Sequence, residues 1–382
     1  MKYELKLILV ICVFALTLQC GSSAAQEIER ASITGTVVDS VSNTPLPGAH
    51  VFLSGTSIGT STDYAGRFSL NSLPPGAHTL TVTSIGYGRF SEDIAIEAAE
   101  HRSKTINLAT VIYNLGELYI GNLDEKWDRH LSRFEQLFIG ETDRADSVTI
   151  LNPEVLRFRY RWWGRFSAEA LAPLQIENRS TGYTITYHLD EFYHSGLVTR
   201  WDGDSFFTPL SPRDSLQAAY WSRQREHAFL GSLKHFLLSL VHNKLEQQRF
   251  SIYMDSNRGY GFPVSSRRPV RVSRIVRKAE TDHHYHLHYY GNLEIVYRGK
   301  SEESNYPIVA EKRRGPADHQ TSHIKLDRRP VTIDPNGEIV ETYGATRMGY
   351  LSYRRFAEAL PKEYIPQHFK EEIQKDTFTS RD

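Results

Sequence analysis

Cysteine is nearly absent: 382 residues contain two, Cys12 and Cys20, both close to the N-terminus. Cleavage after Ala25, the reading developed below, leaves a chain without thiols, which excludes a disulfide framework and a Cys-ligated zinc site. Neither sign of charge is in excess, since 45 basic side chains face 45 acidic ones. The strong basic surplus of a nucleic-acid-binding chain is missing, so no nucleic-acid partner is expected. Methionine is scarce at 3, whereas Tyr (21) and Phe (18) are abundant, a balance that suits sheet-rich structure. With 40% hydrophobic and 12% aromatic residues the chain can bury a core and does not read as disordered. Its length predicts two domains, at roughly 100–200 residues each.

No apolar run reaches the ~20 residues that a membrane-spanning helix takes. The longest, Leu7 to Leu18, has twelve. It follows Lys2 and Lys6 and precedes Ser23-Ala24-Ala25, so residues 1–25 read as a secretory signal peptide. Cys20 allows a second reading, a lipid-modified N-terminus with Gly21 to Arg30 as a polar tether. Gln19 is bulky for the position before a lipidated cysteine, and the cleaved form is the one adopted. The expected location is the periplasm or the outer-membrane surface of a Gram-negative bacterium. Contact with a membrane is expected only through a lipidated Cys20.

Residues 31–110 alternate in short runs. Ile33 and Val37, then Ala49, Val51 and Leu53, then Leu80 and Val82, Ile94 and Ile96, and Ile106 and Leu108 recur with period two. Breakers separate them: Asn43 to Gly48, Thr62 to Gly66 and Pro74-Pro75-Gly76. This is the pattern of an antiparallel sandwich. Asp63 and Gly66 predict a turn in which the carboxylate takes backbone N–H groups and glycine takes a positive φ; the further oxygen ligands of a calcium loop are missing. The segments Ile33 to Asp39, Pro45 to Val51, Gly59 to Asp63, Gly66-Arg67-Phe68, Leu73 to Gly76 and Ile85-Gly86-Tyr87 resemble, in order and spacing, the carboxypeptidase-like regulatory domain. That resemblance covers about 80 residues. It implies a seven-stranded, transthyretin-like Greek-key sandwich, found at the N-termini of TonB-dependent outer-membrane receptors and other envelope proteins. It implies a non-catalytic accessory, with a carbohydrate role by analogy alone.

Residues 114–121 resemble the short strand that follows this sandwich in the receptors, but roughly 260 further residues are too few for a plug and a barrel of about 22 strands. Residues 120–367 read instead as an α+β domain with helices on an antiparallel sheet. Trp127, Leu131, Phe134 and Phe138 predict an amphipathic helix over 125–139. Strands are expected between Leu156 and Thr186 and from Val270 onward. Two helices should meet near Gly231 within Ser215 to Leu245, burying Ala228, Leu233, Phe236, Leu237, Leu240 and Val241. Tyr290-Gly291-Asn292-Leu293 and Asp334-Pro335-Asn336-Gly337 read as hairpin turns. Phe138 to Thr142, Ile150 to Leu156, Pro173 to Asn178, Gly182 to Tyr187 and Gly231 to Phe236 resemble a group of exported bacterial proteins without an assigned activity. Residues 368–382 read as a polar tail.

Catalytic motifs are missing. There is no Gly-x-Ser-x-Gly elbow, phosphate-binding loop or His-Glu-x-x-His pair. His368-Phe369-Lys370-Glu371 has the His-x-x-Glu spacing of zinc carboxypeptidases but no suitable third ligand follows it. The remaining metal candidates are His284, His286 and His288, which share one face of a strand. Residues two apart on a strand lie ~7 Å apart, and one ion reaches ~2 Å to each nitrogen, so a polar sheet face is the preferred reading. Asp190-Glu191 and Asp202-Asp204 are candidate paired carboxylates, read as solvated surface. Arg267, Arg268, Arg271, Arg274, Arg277 and Lys278 form a basic strip, taken as a solvent face rather than a site for lipid or lipopolysaccharide phosphates. The aromatic run Arg159 to Phe166 is assigned to the core. No catalytic residue and no cofactor is assigned. The expectation is an exported, non-catalytic envelope protein that binds or scaffolds an envelope protein or glycan, linked to nutrient uptake; the rival is an envelope hydrolase acting on polysaccharide or peptide.

Overall fold

The structure, a computed structural model, describes residues 31–97, 99–111, 125–161, 164–196, 198–255, 268–280, 284–307 and 316–379. The signal segment with Cys12 and Cys20, the strand expected at 114–121, Trp162, Trp163 and Arg267 lie outside the described residues. The first unit has seven strands: β1 (Ala31–Asp39), β2 (His50–Leu53), β3 (Gly59–Ser61), β4 (Arg67–Leu73), β5 (Gly76–Thr83), β6 (Phe90–Ile96) and β7 (His101–Leu108). They form two sheets, ordered β4-β1-β7 and β3-β2-β5-β6, the Greek-key sandwich expected. Its core is made of the alternating residues, with Val37, Val51, Leu53, Leu80, Val82 and Ile106 fully buried. The Asp63 turn forms as read: its Oδ1 accepts from the backbone N–H of Ala65 at 2.9 Å and of Arg67 at 2.8 Å, and Gly66 takes φ +70°.

The described residues of the second unit form two large apolar clusters and a small one around Phe229, Leu238 and Phe369. In the first, α1 (Glu125–Phe138) lies on an antiparallel six-stranded sheet made of β8 (Val148–Ile150), β9 (Leu156–Arg161), β10 (Arg165–Ala170), β11 (Leu174–Asn178), β12 (Tyr183–Ser195) and β13 (Val198–Pro209). The helical spacing brings Phe134 and Phe138 inward, both with no exposed surface. Helices α2 (Ser215–Phe229) and α3 (Leu233–Val241) meet at Gly231, φ +77°. The Asp214 and Ser232 side chains cap them by accepting from the N–H groups of Gln217 and His235.

In the second cluster α3 packs on a five-stranded sheet and a three-stranded sheet. The first is ordered β15 (Arg268–Pro269), β14 (Phe250–Asp255), β18 (Asn292–Tyr297), β19 (Gln320–Leu326), β21 (Ala345–Gly349). The second is β16 (Val276–Lys278), β17 (Tyr285–Leu287), β20 (Val331–Ile333). The short helix α4 (Tyr350–Tyr353) follows β21.

Two expectations are corrected. Tyr290-Gly291 does not close a hairpin: β17 and β18 belong to different sheets, and the chain crosses between them beside Tyr289, whose hydroxyl donates to the Ile324 carbonyl. The Asp334 to Gly337 turn does close one, through Asp334 N–H to Glu338 O at 2.9 Å. The basic strip is a solvent face as expected, with Arg271, Arg274, Arg277 and Lys278 exposed around the 3-10 turn Val272–Arg274. The segment after Pro366 is helix α5 (Gln367–Thr379) rather than a loose tail, held down by Phe369, which is fully buried against Phe229 and Leu238.

The sandwich core is self-contained, but its surface is bonded to the second unit. The N–H of Gly55 donates to Ser205 O at 2.7 Å, and Phe207 N–H to Thr56 O at 2.9 Å, so the β2–β3 turn extends the β13 edge. The N–H of Lys362 donates to Gly55 O, the hydroxyl and N–H of Ser57 donate to Glu363, and Asn336 donates to Pro75 O.

Candidate functional site

Between the sandwich, the β12–β13 hairpin and the β21 edge lies a chamber of about 1280 Å³. It is somewhat larger than the ~300–1,000 Å³ of most small-molecule clefts. One wall is acidic. The register of β12 against β13 slips between Leu189 and Glu191, leaving Asp190 in a bulge. Gly203 lies opposite at φ +153°, where a Cβ would stand 2.1 Å from the His188 carbonyl. This pairing sets Glu191 across from Asp202 and His188 across from Asp204. The four acids named in the sequence as two unrelated pairs therefore gather on one hairpin. Asp204 is 7% exposed, so the solvated-surface reading fails for it.

Three of the four are engaged. Arg89, which precedes β6 of the sandwich, donates to Asp190 and lies 3.3 Å from Asp204. The Ser91 hydroxyl donates to Asp204 at 2.7 Å. The Tyr343 hydroxyl donates to Glu191 at 3.0 Å, with the Arg200 guanidinium 5.1 Å from its ring centre. Among the described residues the Asp202 carboxylate accepts only from the N–H of Gly203, at 2.9 Å. Burial, and then the charges of Asp190, Asp204 and Glu191, push its pKa up. Trp201, packed edge-on to Phe138, also lines the chamber.

The opposite wall is basic, with Arg347 on β21 and Arg355 after α4. The Arg355 guanidinium donates to the Leu137 carbonyl. Burial, and next the charge of Arg347, lower its pKa. The sequence reading missed Arg89, Tyr343, Arg347 and Arg355, since nothing in their local pattern marks them.

The three candidate histidines do not converge. His286 is paired across β16 with Arg277 and across β20 with Thr332, and its Nδ1 is buried without a partner. His288 lies beyond the end of β17, edge-on to Tyr290 at 5.3 Å, and His284 precedes the strand. Among the described residues no three His, Cys, Asp or Glu side chains are placed so that they could hold a metal ion. His368 has its Nδ1 3.8 Å from Glu226, and Glu371 accepts from Gln367.

Residues 33–120 match the family model described as a CarboxypepD_reg-like domain. The sandwich is a carboxypeptidase-like regulatory domain. The match ends before the second unit, so the chamber has this regulatory domain on one side alone. No curated protein matches the chain. Among solved structures it is similar to a catechol 1,2-dioxygenase of Acinetobacter radioresistens, at 14% identity over 24% of this chain and 55% of that one, TM-score 0.20. It is also similar to a 3-chlorocatechol 1,2-dioxygenase of Rhodococcus opacus 1CP (14%, 21% and 60%, TM-score 0.18). A pilus 2b backbone protein of group B streptococcus is a third (14%, 22% and 42%, TM-score 0.19). The chain spans between two fifths and three fifths of those chains, and no activity follows from likenesses of this size.

Proposed function

We propose that the protein is an exported, non-catalytic component of the cell envelope that binds a glycan in the chamber beside its regulatory domain, in the service of nutrient uptake. The observation that carries the reading is the state of the chamber acids. Glycoside hydrolysis takes two carboxyl groups free to flank the scissile bond, whereas Asp190 and Asp204 share Arg89 and Glu191 holds Tyr343. Fixed acceptors beside the Trp201 and Tyr343 rings suit sugar hydroxyls and ring faces. Export rests on the Leu7 to Leu18 run and Ala25. Among the described residues no helix is long and apolar enough to cross a membrane.

The rival hydrolase reading has one observation in its favour: among the described residues Asp202 accepts from the Gly203 N–H alone, with no cation within ion-pair distance, and burial raises its pKa, as a general acid requires. Calorimetric titration with oligosaccharides, alongside a reducing-sugar assay, separates the two. Saturable binding without turnover, weakened at least tenfold by Trp201→Leu, is expected. Turnover abolished by Asp202→Asn with binding retained would replace the binding reading with the enzyme.

A further inference from the structure

Strands β9 and β10 form a hairpin at one end of the six-stranded sheet, and β9 is the last strand of that end. Their register sets Arg161 opposite Arg165, Arg159 opposite Ser167 and Arg157 opposite Glu169. Paired residues share a face, so four arginines stand on one side of the hairpin. The other side carries Phe158 and Phe166, packed into the cluster under α1. The arginine side is therefore turned outward, and Arg159, Arg161 and Arg165 are exposed. The aromatic run assigned to the core is core on one side alone.

Only Arg159 among the four has an ion pair, with Glu169 at 3.1 Å. Arg157 donates to the Glu154 carbonyl at 2.8 Å, and the Arg165 guanidinium lies 5.2 Å from the Tyr193 ring centre. Among the described residues no carboxylate comes within ion-pair distance of Arg157, Arg161 or Arg165. Like charges directly opposite one another destabilise a strand pair, so the Arg161–Arg165 pairing costs the isolated fold, and an external anion relieves that cost. On the α1 side of the same strand Tyr160 is 53% exposed, with the Arg133 guanidinium 5.8 Å from its ring centre. Arginines around an exposed tyrosine suit a headgroup layer, where the ring is half apolar and half wet.

The same face changes sign along the sheet. Ser167 is paired with Tyr193, and Tyr193 with Arg200. The next pair on that face is Glu191 with Asp202, at the acidic wall of the chamber. We propose that the β9–β10 hairpin docks the protein on an anionic lipid surface through Arg157, Arg159, Arg161 and Arg165, without need of an acyl chain on Cys20. A negative plane attracts the hairpin and repels the acidic wall, so the docked molecule holds its chamber away from the lipid and open to a ligand. A soluble acidic chain is the poorer match, because along this face it runs from the arginines into Glu191 and Asp202. The docking does not depend on what the chamber binds.

The test sediments the mature chain, starting at Gln26 and so without Cys20, with two kinds of vesicle. One is phosphatidylcholine alone and the other contains phosphatidylglycerol as about a third of its lipid. Binding to the anionic vesicles alone is expected, falling as salt rises. An arginine at such a surface contributes roughly fivefold in partition, so Arg161→Gln with Arg165→Gln should weaken binding at least tenfold. The melting temperature of that double variant should not fall, since a like-charge pair is removed. Arg274→Gln with Arg277→Gln, on the other exposed basic strip, should leave vesicle binding unchanged. Equal binding to both vesicles, binding to neither, or binding that survives the hairpin variant overturns the proposal. So does a soluble oligogalacturonate that binds the hairpin while the vesicles do not, which would give the patch to an acidic polymer instead.

Discussion

Arg89 lies 3.3 Å from Asp204, joining the regulatory sandwich to strand β13 by an ion pair in which the acid is almost fully buried. The same guanidinium donates to Asp190, so one cation from the first unit holds two acids of the second.

Removing that cation strands both carboxylates against each other. Arg89→Ala is expected to lower the unfolding free energy by about 2 kcal/mol, less than for a fully buried pair because the arginine is partly exposed. Asp204→Asn in the same chain should recover part of the loss. Denaturant melts of the two single variants and the double variant measure this coupling, and strictly additive effects would show that the ion pair does not join the units.

Gly182 provides a second test. It turns at φ +71° after β11, and a Cβ there would lie 2.3 Å from the indole of Trp221 on α2. The indole is fixed in place by its N–H donating to Arg179 O at 2.9 Å, and Arg225 donates to Thr181 O at 2.7 Å beside it. Gly182→Ala should therefore cost about 3 kcal/mol, from left-handed backbone strain and overpacking together. Gly196, also at positive φ but with open space around it, should tolerate alanine at a cost of about 1 kcal/mol. Thermal melts of the two variants check the difference, and equal losses would remove Trp221 from the explanation.

A third prediction concerns acid. His235 has no exposed surface; its Nδ1 accepts from Gly231 N–H at 3.0 Å, so Nε2 donates to Gln248 Oε1 at 2.9 Å. Burial pushes its pKa down to about 4 from an ordinary 6.5, against the opposing bond from Gln248. The unfolded chain then takes the proton first as pH falls. The stability is full above about 6.5 and is lost progressively down to about 4, amounting to about 3 kcal/mol. His235→Gln should make the stability curve shallower in that window, the remaining slope coming from His188 and His227, which are likewise pushed down to about 4 chiefly by burial. Parallel curves for the variant and the parent protein would show that this imidazole is not the group responsible.

Local chemistry is what could be read directly. The Asp63–Gly66 turn, the Gly231 break between α2 and α3, and the inward Phe134 and Phe138 each depend on residues within one turn of one another, so spacing alone specifies them. The Tyr290 turn was misread because it looks local while its outcome depends on partners: β17 pairs with β16 and β20, not with β18. Phe369 was passed over because a single aromatic in a polar stretch has no periodicity, and only the pocket between Phe229 and Leu238 makes it an anchor.

The amino-acid sequence by itself determined the regulatory sandwich and helices α1 to α3 of the second unit, because alternation, breakers and helical spacing act over short distances. The chamber was decided by tertiary structure alone. Arg89 and Asp190 are 101 residues apart, and Tyr343 and Glu191 are 152 apart. Whether an acid is solvated or engaged depends on what the fold sets against it. Asp190, Glu191, Asp202 and Asp204 share one composition and one hairpin, yet three are held by groups from distant segments and one is left facing the cavity.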